Sequence, residues 1–396
     1  MRLRRLSLLS TLVAASVLPI ACHAGTGCEL DGQAINLDDG KSTAGKSGLI
    51  RCYDRDGAVL REEQLQNGVK MGVVRHFRAG VLYEEYTANA RGNHEGRSRR
   101  FAATPGAKNQ VVHEETVQNG NAVGVVRDWY PDGTLMRLGF HDERGLELST
   151  ITYTTQGKLN DLRCTTRPVF APEADDAALC GFRSGLTMVE LFDDKGNLRG
   201  RFTHDHGVRR KVDAIVDGKV MQQTDMGATE GSQRNFNAAG VKVNEIAWVV
   251  RPAGNGTHNV KTLERDYHDS GTLIRERRWT PTEHGSDPAL DESWYLNGQM
   301  QTKTEWLARD GQPMRHELEY HDNGQLASDQ TWRVVKDGED EAVGTFRIFD
   351  DAGKLRAETT YDAHGRVTHE RELDASGKLT RDDQVFEDGS RKAFAR

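Results

Sequence analysis

Proline is scarce in this chain, at 9 of 396 residues, and aromatic residues make up only 7 %. After residue 24 no long apolar run occurs, so nothing reaches the roughly 18 residues that a membrane-spanning helix requires. A basic surplus is missing too. Lys+Arg number 53 against 60 Asp+Glu, a formal charge of −7, which excludes a nucleic-acid-binding surface of the usual kind. Hydrophobic residues at 36 % against 29 % charged are a thin supply for one thick core and favour a shallow, repeated architecture. No stretch carries capped helical periodicity over four turns.

What is present begins with an address label. Arg2, Arg4 and Arg5 precede an apolar stretch and small residues ending in Cys22-His23-Ala24, the pattern of a secretory signal peptide over 1–24. Pro19-Ile20-Ala21-Cys22 is also a degenerate lipobox, in which Cys22 would carry lipid and anchor the chain as an outer-membrane lipoprotein. The expected location is the periplasm or beyond. Beyond the leader stand Cys28, Cys52, Cys164 and Cys180, an even number suited to disulfides in an oxidising compartment. Three pairings are open. Proximity favours Cys28 with Cys52 and Cys164 with Cys180, the second closing a Pro-containing insert. A Cys₄ zinc site is disfavoured because no close CxxC pair exists.

The informative feature is repetition. Gly271, Gly285, Gly298, Gly311, Gly324, Gly338, Gly353, Gly365, Gly377 and Gly389 follow one another at 12 to 15 residues. Most sit in one phrase: an aromatic, two or three polar residues, Gly, any residue, an aliphatic. Tyr320-His-Asp-Asn-Gly324-Gln-Leu326 and Phe349-Asp-Asp-Ala-Gly353-Lys-Leu355 are examples. Gly supplies the positive φ of a tight turn, and the segments between alternate β-branched or aromatic with charged residues. The expected fold is all-β: an elongated, antiparallel β-hairpin meander, largely a single-layer sheet, with one disulfide-closed insert. The expected divisions are 25–160, 161–260 with the Cys-containing insert, and a regular array over 261–396.

A second phrase marks the N-terminal half. Asn67-Gly68-Val-Lys-Met-Gly72-Val-Val-Arg75-His-Phe77 recurs as Asn119-Gly120-Asn-Ala-Val-Gly124-Val-Val-Arg127-Asp-Trp129, and its second half as Gly344-Thr-Phe-Arg347-Ile-Phe349. At strand period Arg75 shares a face with Phe77, Arg127 with Trp129 and Arg347 with Phe349. These side chains would build an aromatic ladder covered by arginine stems, or a display of Arg and aromatics for a partner. The phrase resembles the bacterial MORN repeat variant named in the YwqK-like antitoxin family, over most of 53–160 and 190–390. Residues 361–379 are also similar to YD repeats. The MORN resemblance implies repeated hairpins in an extended sheet that bind protein or lipid, some members being antitoxin or immunity partners, with no catalytic residue carried over.

Motifs for chemistry are few. Gly40-x₄-Gly45-Lys46-Ser47 fits a phosphate-binding loop in spelling, but the following residues read as a strand where such a loop needs a helix. His204-Asp205-His206 sets two imidazoles at metal-like spacing with Gly207 immediately after, as at a hairpin tip. The doublets Glu62-Glu63, Glu84-Glu85 and Glu114-Glu115 point to opposite faces of a strand, so they cannot act as catalytic pairs and read as solvated positions. Trp279, Trp294, Trp306 and Trp332 read as a packing spine or a carbohydrate platform. No cofactor or metal is expected, and no enzyme. The expected role is binding a protein partner, such as a basic secreted toxin or effector held by an immunity protein, steered by the chain's negative charge. The alternative is an envelope module contacting lipid or peptidoglycan, with no nucleic acid and no transmembrane segment.

Overall fold

A computed structural model describes residues 27–38, 40–102, 109–254, 256–283, 285–335 and 338–393. Residues 1–24, where a leader is expected, and Cys22 with them, lie outside the described residues. Antiparallel strands dominate, in a twelve-stranded sheet from Cys28–Leu30 to Leu159–Arg163 and an eighteen-stranded sheet from Thr187–Phe192 to Arg391–Ala393. In the second sheet successive strands pair as a meander without crossover, except that Glu341–Ala342 and Gly344–Phe349 both pair along the same strand, Leu326–Arg333. The first keeps that order except at its start, where Cys28–Leu30 lies between Gln33–Ile35 and Gly48–Tyr53. Neither sheet closes. The chain divides into two compact units, Met1–Thr150 and Ile151–Arg396.

Two turn designs make the meander. Asn67 and Gly68 both have positive φ (49° and 84°), as do Asn119 and Gly120, the two-residue I′ geometry that matches strand twist. The other design is an Asp or Asn three residues ahead of the Gly. Asp350 accepts its own turn's N–H groups from Ala352 and Lys354 through Oδ1, while Gly353 N–H donates to the Asp350 carbonyl. Asp54, Asp193 and Asp362 repeat this Asx arrangement. A register shift follows at such turns, as between Ile348 and Phe349, the bulge that accompanies a left-handed Gly after a type I turn. Gly285 and Gly338, in phase with the sequence repeat, are not among the positive-φ residues.

Burial is thin, as the composition requires. In the first unit Leu30, Ile50 and Leu65 form a buried cluster against Cys28, Ile35, Leu37 and Cys52. Cys28 and Cys52 are direct partners across two strands and are disulfide-bonded. In the second unit Ile151, Leu162, Phe170, Cys180 and Leu191 are fully buried, and Cys164–Cys180 closes the insert. The insert contains a single helical turn, Asp176–Leu179, capped by Asp175. The Asp176 carboxylate, 3 % exposed, accepts from the N–H groups of Val169 and Phe170. Beyond Ile215 the buried apolar side chains among the described residues are Val260 and Met314. There the sheet is held by neighbouring strands and their cross-strand pairs more than by a core.

Residues 40–45 form a turn and Gly48–Tyr53 is a strand, so the phosphate-loop spelling lacks the helix that would give it meaning. Arg251, Pro252 and Ala253, the start of a stretch that reads as loop-like in sequence, are paired in a hairpin with His258, Thr257 and Gly256.

Candidate functional site

Direct cross-strand partners share a face, so the register can be followed across each sheet. In the first sheet one such line runs Glu29, Arg51, Glu62, Arg75, Glu85, Arg99, Glu114, Arg127, each residue directly opposite the next. Signs alternate without exception. The contacts follow: Arg51 Nε lies 2.9 Å from Glu62, Arg75 reaches Glu85 at 2.7 Å and Glu62 at 3.5 Å, and Arg99 pairs with Glu85. Arg127 is 3.8 Å from Glu114. Burial pushes the Glu85 carboxyl up, but the guanidiniums of Arg99 and Arg75 outweigh it and hold it below the usual range.

The second sheet carries a corresponding line. It runs Glu190, Arg201, Asp213, Gln223, Arg234, Glu245, Arg265, Glu276. It continues Glu292, Lys303, Leu318, Asp329, Arg347, Glu358, Arg371, Asp382. The phase slips at the neutral Gln223 and Leu318, and once at Glu276 opposite Glu292. At that slip Glu276 is 5 % exposed and bonded by Arg265 at 2.7 Å and Arg278 at 2.5 Å.

Arg75, Arg127 and Arg347 are members of these lines. Arg75 is engaged by Glu62 and Glu85, and Arg347 by Asp329 at 3.5 Å and Glu358 at 3.1 Å. Phe77 and Phe349 sit beyond a register shift, after His76 and Ile348, and Trp129 pairs with Leu135 just before one. Other cations lie over rings: Arg78 over Tyr83 at 4.4 Å, Arg209 over Phe202 at 3.9 Å, Lys261 over Trp279 at 4.8 Å and Arg315 over Trp332 at 5.6 Å. Trp306, Arg315 and Trp332 are direct partners in succession, and Phe346 meets Trp332 edge-on at 4.9 Å and Tyr361 at a tilt at 4.7 Å. Of the acidic doublets, Glu62, Glu85 and Glu114 stand in the line, while Glu63, expected to be solvated, is 5 % exposed and paired with Arg61 at 2.8 Å. His204 is 1 % exposed and burial lowers its pKa to about 4, whereas His206 occupies a turn with φ 47°. Among the described residues no group of three or more His, Cys, Asp or Glu is placed to hold a metal ion.

Two features escaped the sequence. On the opposite face of the first sheet His113 lies opposite both Arg100 and Asp128. Its Nδ1 is 2.6 Å from Asp128 and its Nε2 3.6 Å from Glu115, and these carboxylates raise its pKa to about 9. On the corresponding face of the second sheet lies a trough of about 940 Å³. Its lining includes Thr302, Thr304, Trp294, Tyr295 and Leu296 and the carboxylates of Asp266, Asp291, Glu317 and Glu319, of which Asp266 is paired with Arg277, Asp291 with Arg275 and Glu317 with Arg315.

Residues 342–363 match the family described as MORN repeat variant, on the strands Gly344–Phe349 and Leu355–Tyr361. This segment is thus of MORN type. No curated protein matches the chain. Among solved structures, the crystal structure of TcdB2-TccC3 is similar at 14 % identity and TM-score 0.16, over 89 % of this chain and 20 % of that one. The Photorhabdus luminescens Tc holotoxin pore matches at 10 % identity and TM-score 0.13, over 87 % and 27 %. A protein of unknown function from Bacteroides fragilis matches at 9 % and 0.11, over 39 % and 91 %. The chain thus spans between a fifth and about a quarter of the Tc chains it matches. At TM-scores this low the likeness fixes neither topology nor role.

Proposed function

We propose that this chain is an exported, non-enzymatic binding protein whose open sheets present a surface to another protein, in the manner of an immunity or antitoxin protein occluding an envelope-acting toxin. The observation that carries the reading is the pair of unclosed sheets, with broad faces and little interior. Such an architecture offers area to a partner, and function argued from sites requires a site. A surface rich in fixed charge also suits steering and register more than raw affinity. The MORN-type segment at 342–363 is compatible with a binding role.

The test is capture of the tagged mature protein from its native envelope fraction. Recovery of one stoichiometric secreted protein, toxic to the cell envelope alone and harmless when co-expressed with this chain, is the expected result. Retention on peptidoglycan or liposomes with no protein recovered would replace this reading with an envelope module contacting glycan or lipid.

A further inference from the structure

The face of the first sheet opposite its charge line carries a column of rings. His76, Tyr86 and His94 stand on three successive strands, Val69–Arg78, Val81–Ala88 and His94–Phe101. His76 stacks on Tyr86 at 5.8 Å and 24°, and Tyr86 on His94 at 3.7 Å and 22°. There the column stops. The next two strands, Val111–Gln118 and Asn121–Trp129, supply Val117 and Ala122, direct partners without a ring. A cavity of about 390 Å³ opens beside them, lined by His94, Glu115, Val117 and Ala122 with Gly92 and Gly120. A Cβ on either glycine would meet nothing within 4 Å.

Strand order fixes which side of His94 is free. Tyr86 comes from the strand before it and the cavity from the strands after it, so one imidazole face is covered and the other is turned to the cavity. The volume lies at the small end of the roughly 300–1,000 Å³ of ligand pockets. Rings stack on rings, so a flat guest here becomes the fourth member of the column. Glu115 then sets its polarity. His113 beside it holds the Glu115 carboxyl below the usual range, so the group is ionised at neutral pH and only accepts hydrogen bonds. The contact with His113 Nε2, at 3.6 Å, uses Oε2, and a carboxylate has acceptor sites for further donors. Ring shape and one acceptor make the selection, with no surplus of charge required.

We propose that this cavity binds a planar aromatic ring carrying an N–H donor, indole being the plainest case, stacked on His94 and donating its N–H to Glu115. A free ring compound and a tryptophan side chain of a protein segment share this chemistry. The proposal stands apart from the protein-binding reading above.

The probe is indole, titrated into the full mature protein carrying ¹³C-labelled histidine and followed by NMR. Native protein is expected to bind it with a dissociation constant on the order of 1 mM, as suits so small a ligand. The ring current of the guest should move the His94 protons upfield and leave those of His369, on the second sheet, in place. Ala122→Leu fills the cavity without touching the ring column and is expected to weaken binding by about tenfold or more. Benzofuran, which has the same shape and no N–H, is expected to bind about tenfold more weakly than indole. Unmoved His94 protons, full binding by Ala122→Leu, or benzofuran as tight as indole would each overturn the proposal. So would the absence of binding by native protein at about ten times the expected dissociation constant. A blocked peptide with one tryptophan between serines and glycines separates the sources. Binding tighter than indole assigns the ring to a protein segment, and weaker binding assigns it to a free compound, each in support of the site.

Discussion

At the scale of the residue, His113 is the most informative group. Its imidazole is 12 % exposed and its pKa is raised to about 9, first by the hydrogen bond to Asp128 and then by Glu115, from an ordinary value of 6.5. A raised folded value means that protonation favours the fold. The contribution is fully present below about pH 6.5 and is lost as pH climbs through about 9. The melting-temperature gap between native protein and His113→Gln is therefore expected to be widest near pH 6 and to close by pH 10. A gap that stays constant across this window would show that the ion pair is not the source. The glycines give a second residue-scale test. A Cβ on Gly68 would stand 2.8 Å from the Gly45 backbone nitrogen, while one on Gly57 meets open space, both at positive φ. Gly57→Ala is expected to cost about 1 kcal/mol for the left-handed backbone alone. Gly68→Ala should cost distinctly more, as read by denaturant midpoints.

At the scale of the element, the hairpin is held in register by its charges as much as by its turn. Arg75 stands between Glu62 and Glu85, so Arg75→Glu sets three carboxylates side by side. The expected loss is on the order of 1–2 kcal/mol. Adding Glu85→Arg should recover part of it, and the difference should shrink in high salt. Recovery that fails in low salt would deny the line its role. The turns and strands themselves were legible in sequence, because Asn67-Gly68 and the Asp-x-x-Gly phrases dictate backbone geometry locally. The charge lines were not, since Arg75 meets Glu85 only after the Ala79-Gly80 turn and the bulge at Phe77 set the count. For the same reason the period-2 pairing of Arg75 with Phe77 does not carry across the register shift between His76 and Phe77, and the carboxylates that engage Arg75 could not be read from spacing. Glu63 misled in a simple way: a charged side chain on a strand reads as solvated, and burial beside Arg61 is visible only in three dimensions.

At the scale of the whole molecule, stability is spread along the chain. Few apolar side chains are fully buried beyond Ile215, and each strand leans on its neighbours, so unfolding should follow nearest-neighbour terms more than one cooperative step. Hydrogen exchange is expected to show graded protection falling toward Arg391–Ala393, where uniform protection would contradict it. The Cys164–Cys180 clip closes a separation of 16 residues, worth about 3 kcal/mol in a loop-entropy account. Its reduction should release exchange in the insert first and leave the distant strands of the same sheet protected.

The alternating signs carry a rule about growth. A sheet in which each strand bears the opposite charge to the one before can gain or lose a whole hairpin and still meet its new neighbour with attraction. A lone added strand breaks that parity and brings like beside like. A neutral side chain absorbs such a slip, and Gln223 and Leu318 stand where the phase changes. Tandem duplication of such a chain is thereby tolerated in steps of two, a counting constraint written in arginine and glutamate.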